Sequence, residues 1–559
     1  MRRRVLRMRR HGRIFPVKEH PPVRGATPKT IPMSSLRLSA NASSPGKSLR
    51  HHWNFCVGAG RANEGLRADW QEQLAFAVNH CGFQYIRFHG LFHDDMFVYK
   101  EVGGRPVYNF QYIDTLFDRL LDLGVRPFVE FGFCPADLAT EKGTVFWWKG
   151  NGSPPTNYAK WAELIRRTVG HWIERYGIDE VREWYFEVWN EPNLSPFFRG
   201  TKSQYFELYK VTAHAVKAID PHLRVGGPST SNFVPDTRFD GEVEDKTQHK
   251  TVLEAKDLDA LDWQPVWMRD FLAYCEKEAL PVDFICCHPY PTDWALDEHG
   301  QGNKLTRGVG ATPKDLKTLR DLIDGSAYPA AEIHLTEWSS SSSPRDFTHD
   351  FLQAATFVAK ANVESTGTVA SLSYWVFSDI FEESGPGDTV FHGGFGMINT
   401  QGIVKPTFHA YRFLAALGDE TLAASACGIV TRDTVTGKVQ ALAYHYPPEM
   451  PLSVPASFDS RDKARETLAL GQTETLEIEI DSLEPGAPFL VEILDSAHGN
   501  ALAAWESLGC PEPPTREQAG ILRKLSMETL KRGVMADASG RLFLRLEVEP
   551  WSLVSVRGL

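Results

Sequence analysis

The sequence predicts an α/β protein, a (β/α)8 barrel followed by a C-terminal β-sandwich. Three observations carry this expectation. From His51 onward, short apolar strands alternate with amphipathic helices through eight repeats, over about 365 residues. The polar residues with chemical promise follow the strands, and in such barrels the C-terminal strand ends carry the site. Beyond Gly418 the long helices stop and period-2 segments take over, as antiparallel strands require. The expected division is an N-terminal extension over 1–50, the barrel over 51–417 and the sandwich over 418–559.

Taken in order, His52–Val57 reads as the first strand, then a Gly-rich turn and a helix from Leu66 to Cys81. Phe83–His89 is the second strand, ending at Phe88-His89-Gly90 and the polar His93-Asp94-Asp95. Helix Gln111–Leu123, closed by Gly124, leads to the third strand, Val125–Phe131. The helix Tyr158–Tyr176 carries Trp161, Leu164, Ile165, Val169 and Trp172 on one stripe, and Gly177 ends it. Strand four is Trp184–Trp189, and strand five is Leu223–Gly227 after a helix over Ser203–Ile219. A charged excursion, Phe233–Leu261, follows and reads as a surface insertion. Then come helix Trp267–Lys277, strand Val282–His288, helix Pro313–Ile323 and strand Glu332–Glu337. Helix Phe347–Val363, strand Ala370–Phe377 and a helix over Thr407–Leu417 complete the series. In the sandwich, Lys438–Tyr446, Glu474–Ile480, Phe489–Leu494 and Leu542–Val548 alternate, with a helix near Thr515–Lys531. Leu36–Leu38 is a candidate edge strand of the same sandwich; the rest of the extension, rich in Pro, Lys and Arg, is expected to be disordered.

Net charge is −11, from 60 basic and 71 acidic residues, which argues against a nucleic-acid partner. The eight cysteines are scattered through predicted strands and helices and read as small buried apolar residues. Cys286-Cys287-His288 is a poor metal site, because adjacent strand residues point to opposite faces. No apolar run reaches 18 residues, so no membrane span is expected. The basic start, Met1 to Arg10, lacks the apolar stretch of a secretory signal, and Met33 is an alternative beginning. The expected compartment is the cytoplasm.

The chemistry centres on Trp184-Tyr185-Phe186-Glu187-Val188-Trp189-Asn190-Glu191-Pro192. The strand stops at Pro192, leaving Glu191 poorly solvated beside an amide, a setting that raises a carboxyl pKa and suits a general acid. A lone Asn-Glu-Pro is equally what an ordinary polar turn looks like. A second strand, Glu332 to Trp338, ends in the same way at Glu337. Paired strand-end carboxylates are the equipment of glycosidic bond cleavage.

Several ordered motifs resemble glycoside hydrolase family 39, and within it the β-D-xylosidase branch. They are Phe55-Cys56-Val57-Gly58, Tyr85-Ile86-Arg87-Phe88-His89-Gly90, Val188-Trp189-Asn190-Glu191-Pro192-Asn193-Leu194 and Leu335-Thr336-Glu337. Ser373-Tyr374-Trp375-Val376-Phe377-Ser378-Asp379 and Phe391-His392-Gly393-Gly394-Phe395-Gly396 extend the set. The resemblance implies a retaining exo-glycosidase that removes terminal β-D-xylosyl residues from small oligosaccharides, with Glu191 as acid/base and Glu337 as nucleophile. It implies Asn190 on the sugar 2-hydroxyl, and His89, Asp95, His288, Tyr290, Trp375 and Glu382 as substrate-binding residues. No metal or organic cofactor is implied, and self-association is left open. Three departures bear on substrate choice: the 233–261 excursion, Cys286-Cys287-His288-Pro289 where Arg-His-Ala is usual, and the run Ser339–Ser343. Competing readings are an α-L-arabinoside, β-glucoside or uronide substrate, and a carbohydrate-binding protein that lost catalysis. Retention of both glutamates argues against the last.

Overall fold

The computed structural model describes residues 36–236, 240–245, 251–296, 302–448, 450, 454–455 and 460–559. The expectations for Met33, for most of the N-terminal extension and for the middle of the 233–261 excursion lie outside these residues. Residues 35–559 form one compact unit.

Eight parallel strands close the barrel: β1 Cys56–Arg61, β2 Tyr85–His89, β3 Arg126–Phe131, β4 Tyr185–Val188, β5 Arg224–Ser231, β6 Phe284–His288, β7 Glu332–Trp338 and β8 Ser371–Tyr374. The outer ring comprises α1 Ala68–Cys81, α2 Gln111–Asp122, α3 Tyr158–Tyr176, α4 Lys202–Lys217, α5 Met268–Lys277, α6 Ala311–Asp324, α7 Leu352–Glu364 and α8 Pro406–Ala415. Helix α3 shows why these segments fold as they do. The Asn157 side chain accepts from the Lys160 N–H at 3.0 Å, and Gly177 ends the helix at φ 88°. Between these caps Trp161, Leu164, Ile165, Val169 and Trp172 are buried along one stripe, each stabilising the packing by about 1.5–3 kcal/mol.

Strand β1 begins four residues later than the sequence pattern predicts; His52–Asn54 is a short 3-10 turn, and Gly58 and Gly60 lie inside the strand. The reason is close packing. A Cβ on Gly58 would lie 2.6 Å from the Trp375 ring, and one on Gly60 would lie 2.3 Å from the Glu64 carboxylate. What reads as a flexible turn is a strand whose side chains are absent to make room.

Period-2 alternation divides the barrel interior into layers. Phe55, Tyr85, Phe128, Tyr185 and Phe284 fill the N-terminal end, with the His334 ring among them. Two residues further along, Arg87, Glu130, Glu187, Ser229 and Thr336 form a buried polar layer. Above that layer lies the mouth.

The sandwich has a seven-stranded antiparallel sheet facing a three-stranded one. Leu36–Asn41 pairs in parallel with Glu474–Asp481 in the smaller sheet. Val430, Ala441, Val491 and Val556 of the large sheet pack against Leu38, Ile478, Ile480 and Leu542 of the small one. The opposite face of the large sheet, with Ile429, Leu442 and Leu553, joins the barrel's core. Seven cysteines are buried, Cys510 is exposed, and none is disulfide-bonded. Cys286 belongs to the interior cluster and Cys287 to the outer core, on opposite sides of β6. Among the described residues no helix is long and apolar enough to cross a membrane.

Candidate active site

At the C-terminal mouth of the barrel lies a cavity of about 310 Å³. It is lined by His89, Asn190, Glu191, Tyr290, Glu337, Trp375 and Glu383 and walled by Phe146, Phe197 and Phe395.

Two irregularities aim the glutamates into it. After β4 the backbone adopts positive φ at Trp189 (72°) and Glu191 (45°), conformations that cost non-glycine residues about 1–3 kcal/mol each. The turn is held: the Glu191 N–H donates to Ser229 O at 2.8 Å, and the Asn193 side chain spans to both polar backbone groups of Ser231. In β7 the register with β8 shifts between Leu335 and Trp338. This bulge lets neighbouring Thr336 and Glu337 both face inward, where regular alternation would send one outward.

The Arg87 guanidinium organises the floor. It is fully buried and donates to Glu187 at 2.7 Å, Glu337 at 2.5 Å and Asn190 Oδ1 at 2.8 Å, and lies 3.0 Å from Glu130. Because Asn190 accepts through its oxygen, its amide N–H groups are left for the cavity. His89 sits 2.5 Å from Glu130, 3.3 Å from Glu337 and 3.5 Å from Glu383. Burial opposes a charge on His89, but Glu130, Glu383 and Glu337 together override it and push its pKa up to about 10. His89 is therefore a cation.

The two strand-end glutamates have different neighbours. Burial raises Glu191 to about 7, with partial relief from the Ser231 hydroxyl and more distant help from His89 and Arg87. Its immediate partner is His288 Nδ1, at 3.0 Å from Oε1. Burial lowers His288 to about 4, so that imidazole is neutral. Burial also pushes Glu337 up, but there His288 at 3.8 Å, Arg87 and His89 lie against the carboxylate and oppose the rise, and the Tyr290 hydroxyl donates to it at 3.2 Å. Ligand atoms of Glu191, His288 and Glu337 lie within 4.8 Å of one another. Those distances would suit a divalent cation, but Arg87 and His89 already supply two positive charges at this spot.

Of the residues expected from sequence, His89, Asn190, Glu191, His288, Tyr290, Glu337 and Trp375 come together here. Asp95 and Glu382 do not line the cavity: both pair with Arg61, Glu382 at 2.8 Å. The neighbouring Glu383 faces the cavity in place of Glu382, and burial raises its pKa. Sequence reasoning also passed over Arg87, Glu130 and Glu187. Period-2 alternation was the signal available: Tyr85-Arg87-His89, Phe128-Glu130 and Tyr185-Glu187 each lie on one inward face. The described part of the 233–261 excursion reaches the site as well. Glu244 lines the cavity and accepts from the Ser195 N–H at 2.9 Å. The Phe391–Gly396 loop that carries Phe395 is fixed from behind by Lys405. Its ammonium lies 2.9 Å from Asp350 and 2.8 Å from Asp379, and donates to Gly394 O at 2.8 Å.

A barrel with paired carboxyls at its mouth is the architecture of many glycosidases, and comparison with known proteins narrows it. Residues 36–249 and 259–543 match the family model of Glycosyl hydrolases family 39. A beta-xylosidase of Geobacillus stearothermophilus is 38% identical over 500 residues, covering 86% of this chain and 88% of the relative. A beta-xylosidase of Caldicellulosiruptor saccharolyticus is 34% identical over 531 residues, covering 93% and 98%. The crystal structure of the family 39 enzyme from Xanthomonas axonopodis pv. citri superposes with a TM-score of 0.81 at 32% identity, covering 95% of this chain and 99% of that one. Likeness of this extent along both barrel and sandwich makes the protein a glycoside hydrolase, and the chain belongs to family 39 of the glycosyl hydrolases.

Proposed function

We propose that the protein is a retaining, exo-acting β-xylosidase that removes terminal β-D-xylosyl residues from xylo-oligosaccharides. The observation that carries the reading is the carboxyl pair. One oxygen of Glu191 and one of Glu337 lie within 4.8 Å of each other, which brings the two carboxyls near the roughly 5–5.5 Å separation of retaining enzymes. The beta-xylosidase relatives supply the sugar.

Glu337, ionised beside Arg87 and His89, attacks the anomeric carbon while Glu191 transfers its proton to the departing glycosidic oxygen. The C–O bond breaks, the aglycone leaves as an alcohol, and the sugar is held as an ester of Glu337. A water then gives a proton to Glu191 and its oxygen to the anomeric carbon, which releases the Glu337 carboxylate. Asn190, oriented by Arg87, presents an N–H to the 2-hydroxyl, a contact that strengthens in the transition state. The cavity lining favours a neutral sugar. It offers the carboxyls of Glu191, Glu244, Glu337 and Glu383 against one cation, His89, and no Lys or Arg is among the described residues that line it. A uronate would meet like charge there.

The roles separate in kinetics. Glu337→Ala abolishes turnover, and azide restores it with a product of inverted configuration. Glu191→Ala keeps glycosylation by dinitrophenyl xyloside and loses it on xylobiose, whose leaving group needs the proton. Equal damage on both substrates would remove Glu191 from the acid role. A panel of aryl glycosides differing only in the sugar tests the substrate, with arabinoside, glucoside or uronide turnover above xyloside as the contrary result.

A further inference from the structure

Beneath Glu191 runs a chain of buried polar groups that the reaction itself does not call upon. His288 Nδ1 faces Glu191 Oε1 at 3.0 Å, and its other nitrogen, Nε2, lies 2.9 Å from the Thr336 hydroxyl oxygen. That hydroxyl lies 2.6 Å from Glu187 Oε1, which also accepts from the Ser229 hydroxyl at 2.9 Å. Glu187 Oε2 accepts from Arg87 Nε at 2.7 Å. His288, Thr336, Glu187 and Ser229 are all fully buried.

The protons along this chain follow from the acceptors. Burial alone would raise Glu187, but Arg87 first, then His288 and the Thr336 hydroxyl, more than offset it and hold the carboxyl below its usual range. Glu187 is thus a carboxylate with nothing to donate, and the proton in the 2.6 Å contact belongs to Thr336. With its one proton committed, the Thr336 oxygen can only accept from His288, so Nε2 carries the hydrogen. A neutral imidazole with a hydrogen on Nε2 has a bare lone pair on Nδ1.

We propose that Thr336 and Glu187 are a positioning pair that fixes His288 in the Nε2–H tautomer, so that its bare Nδ1 accepts the proton of Glu191 and keeps Glu191 in its acid form. This rests on the reading of Glu191 as the general acid. The pair acts in both half-reactions. Before glycosylation, the proton that Glu191 will give up rests in a hydrogen bond to Nδ1, and the O–H turns from there to the glycosidic oxygen as the bond breaks. Once that proton has gone to the aglycone, the Glu191 carboxylate faces the Nδ1 lone pair with no hydrogen between them, and the repulsion favours recovery of a proton from the attacking water. His288 stays neutral throughout, so the pair stores no proton of its own.

Other titratable groups reach Glu191 from every side of the mouth. They are Arg87 and His89 from β2, Glu130 from β3, Tyr290 from the loop after β6, Glu337 from β7 and Glu383 from the loop after β8. The Thr336 hydroxyl carries no charge, so its removal leaves these groups in place; Glu187 loses one hydrogen bond but keeps those from Arg87 and Ser229, and the His288 hydrogen is no longer tied to Nε2. In Thr336→Val the Nε2–H loses its acceptor, and the imidazole gains by moving the hydrogen to Nδ1, where it donates to a Glu191 carboxylate.

The experiment has two arms. Neutron diffraction from crystals of the perdeuterated full-length protein, grown below the alkaline limb of activity, reads the hydrogens directly. The expected map shows deuterium on His288 Nε2 and on Thr336 toward Glu187, with one deuterium between Glu191 and Nδ1 covalently on the glutamate. Deuterium on Nδ1 in the unmutated protein overturns the proposal whether or not any variant folds. In kinetics on xylobiose, Thr336→Val moves the alkaline limb of kcat/KM down by about one pH unit, and Thr336→Ser, which restores the hydroxyl, returns it. A merely structural role would lower kcat at every pH and leave the limb in place, so a folded Thr336→Val with an unmoved limb also overturns it. Failure of the acid assignment itself appears elsewhere, as an alkaline limb that persists in Glu191→Gln.

Discussion

Arg87 is the side chain on which the site most depends, and its removal has two separable consequences. In Arg87→Met the volume is nearly kept while a fully buried guanidinium with contacts to Glu187, Glu337, Asn190 and Glu130 is lost. Removing one partner of a buried ion pair leaves uncompensated charge, a loss of about 3–5 kcal/mol in folding stability. The second consequence is chemical. Burial already pushes Glu337 up, and Arg87 at 2.5 Å is a principal force holding it down. Without it the Glu337 pKa rises by about 1–3 units, the range an adjacent opposite charge normally accounts for. The nucleophile must be ionised, so the acidic limb of kcat/KM moves to higher pH, toward the limb that Glu191 sets near 7. Each unit by which the limbs cross lowers the correctly protonated fraction about tenfold, and the bell shrinks from its acidic side. The assay is a pH series of kcat/KM on an aryl xyloside, paired with urea unfolding. Arg87→Lys keeps the charge but not the fork, so it restores the acidic limb more than the stability. An acidic limb that stays in place in a folded Arg87→Met would refute this account of how Glu337 is kept ionised.

The remaining expectations are narrower. Glu191→Gln on an activated aryl xyloside loses the alkaline limb near pH 7, because the carboxyl that burial raises to about 7 is the group that titrates there; a limb that stays assigns it to another group. Gly58→Ala drives a methyl group into the Trp375 ring, 2.6 Å away, and raises KM for xylosides as Trp375 leaves the cavity wall; unchanged KM with an intact fold would show that the ring can yield. If the excursion meets a longer substrate's outer sugars, Glu244→Ala raises KM for xylotriose more than for an aryl xyloside; equal effects on the two would make that stretch a plain surface loop.

The barrel was legible because its strands and helices differ in period, and eight alternations leave few other topologies open. The errors fell where side chains stop reporting on backbone. Gly58 and Gly60 read as a turn because glycine is the commonest turn residue, whereas Trp375 and Glu64 occupy the space their side chains would fill. The strands Gly428–Arg432 and Leu553–Gly558 escaped notice because the sheet is buried on both faces, which erases the apolar–polar alternation that marks a strand. In the site, strand-borne residues follow the pleat, so Arg87 could have been placed from His89 two positions on. Glu382 and Glu383 sit in a loop where no period applies, and Arg61 and Arg67, 321 and 315 positions from Glu382, draw that residue away from the cavity.

What would make Glu191 the acid and Glu337 the nucleophile, as proposed, is absent from their own strands, since both end a strand, both are buried, and burial pushes both upward. The difference comes from what each one faces. Five carboxyl groups, those of Glu130, Glu187, Glu191, Glu337 and Glu383, surround two cations, Arg87 and His89. Full ionisation of all five in a buried site would leave three negative charges unbalanced, so at least some must hold protons. Glu187 and Glu337 lie directly against Arg87, which favours their charged forms. Glu191 lies against a neutral imidazole, and in the Nε2–H tautomer proposed above a hydrogen bond to that imidazole is available only to the protonated acid. A guanidinium against one carboxyl and a bare imidazole nitrogen hydrogen-bonded to the other therefore bias a nearly symmetric pair toward opposite protonation states, the asymmetry that the proposed double displacement requires.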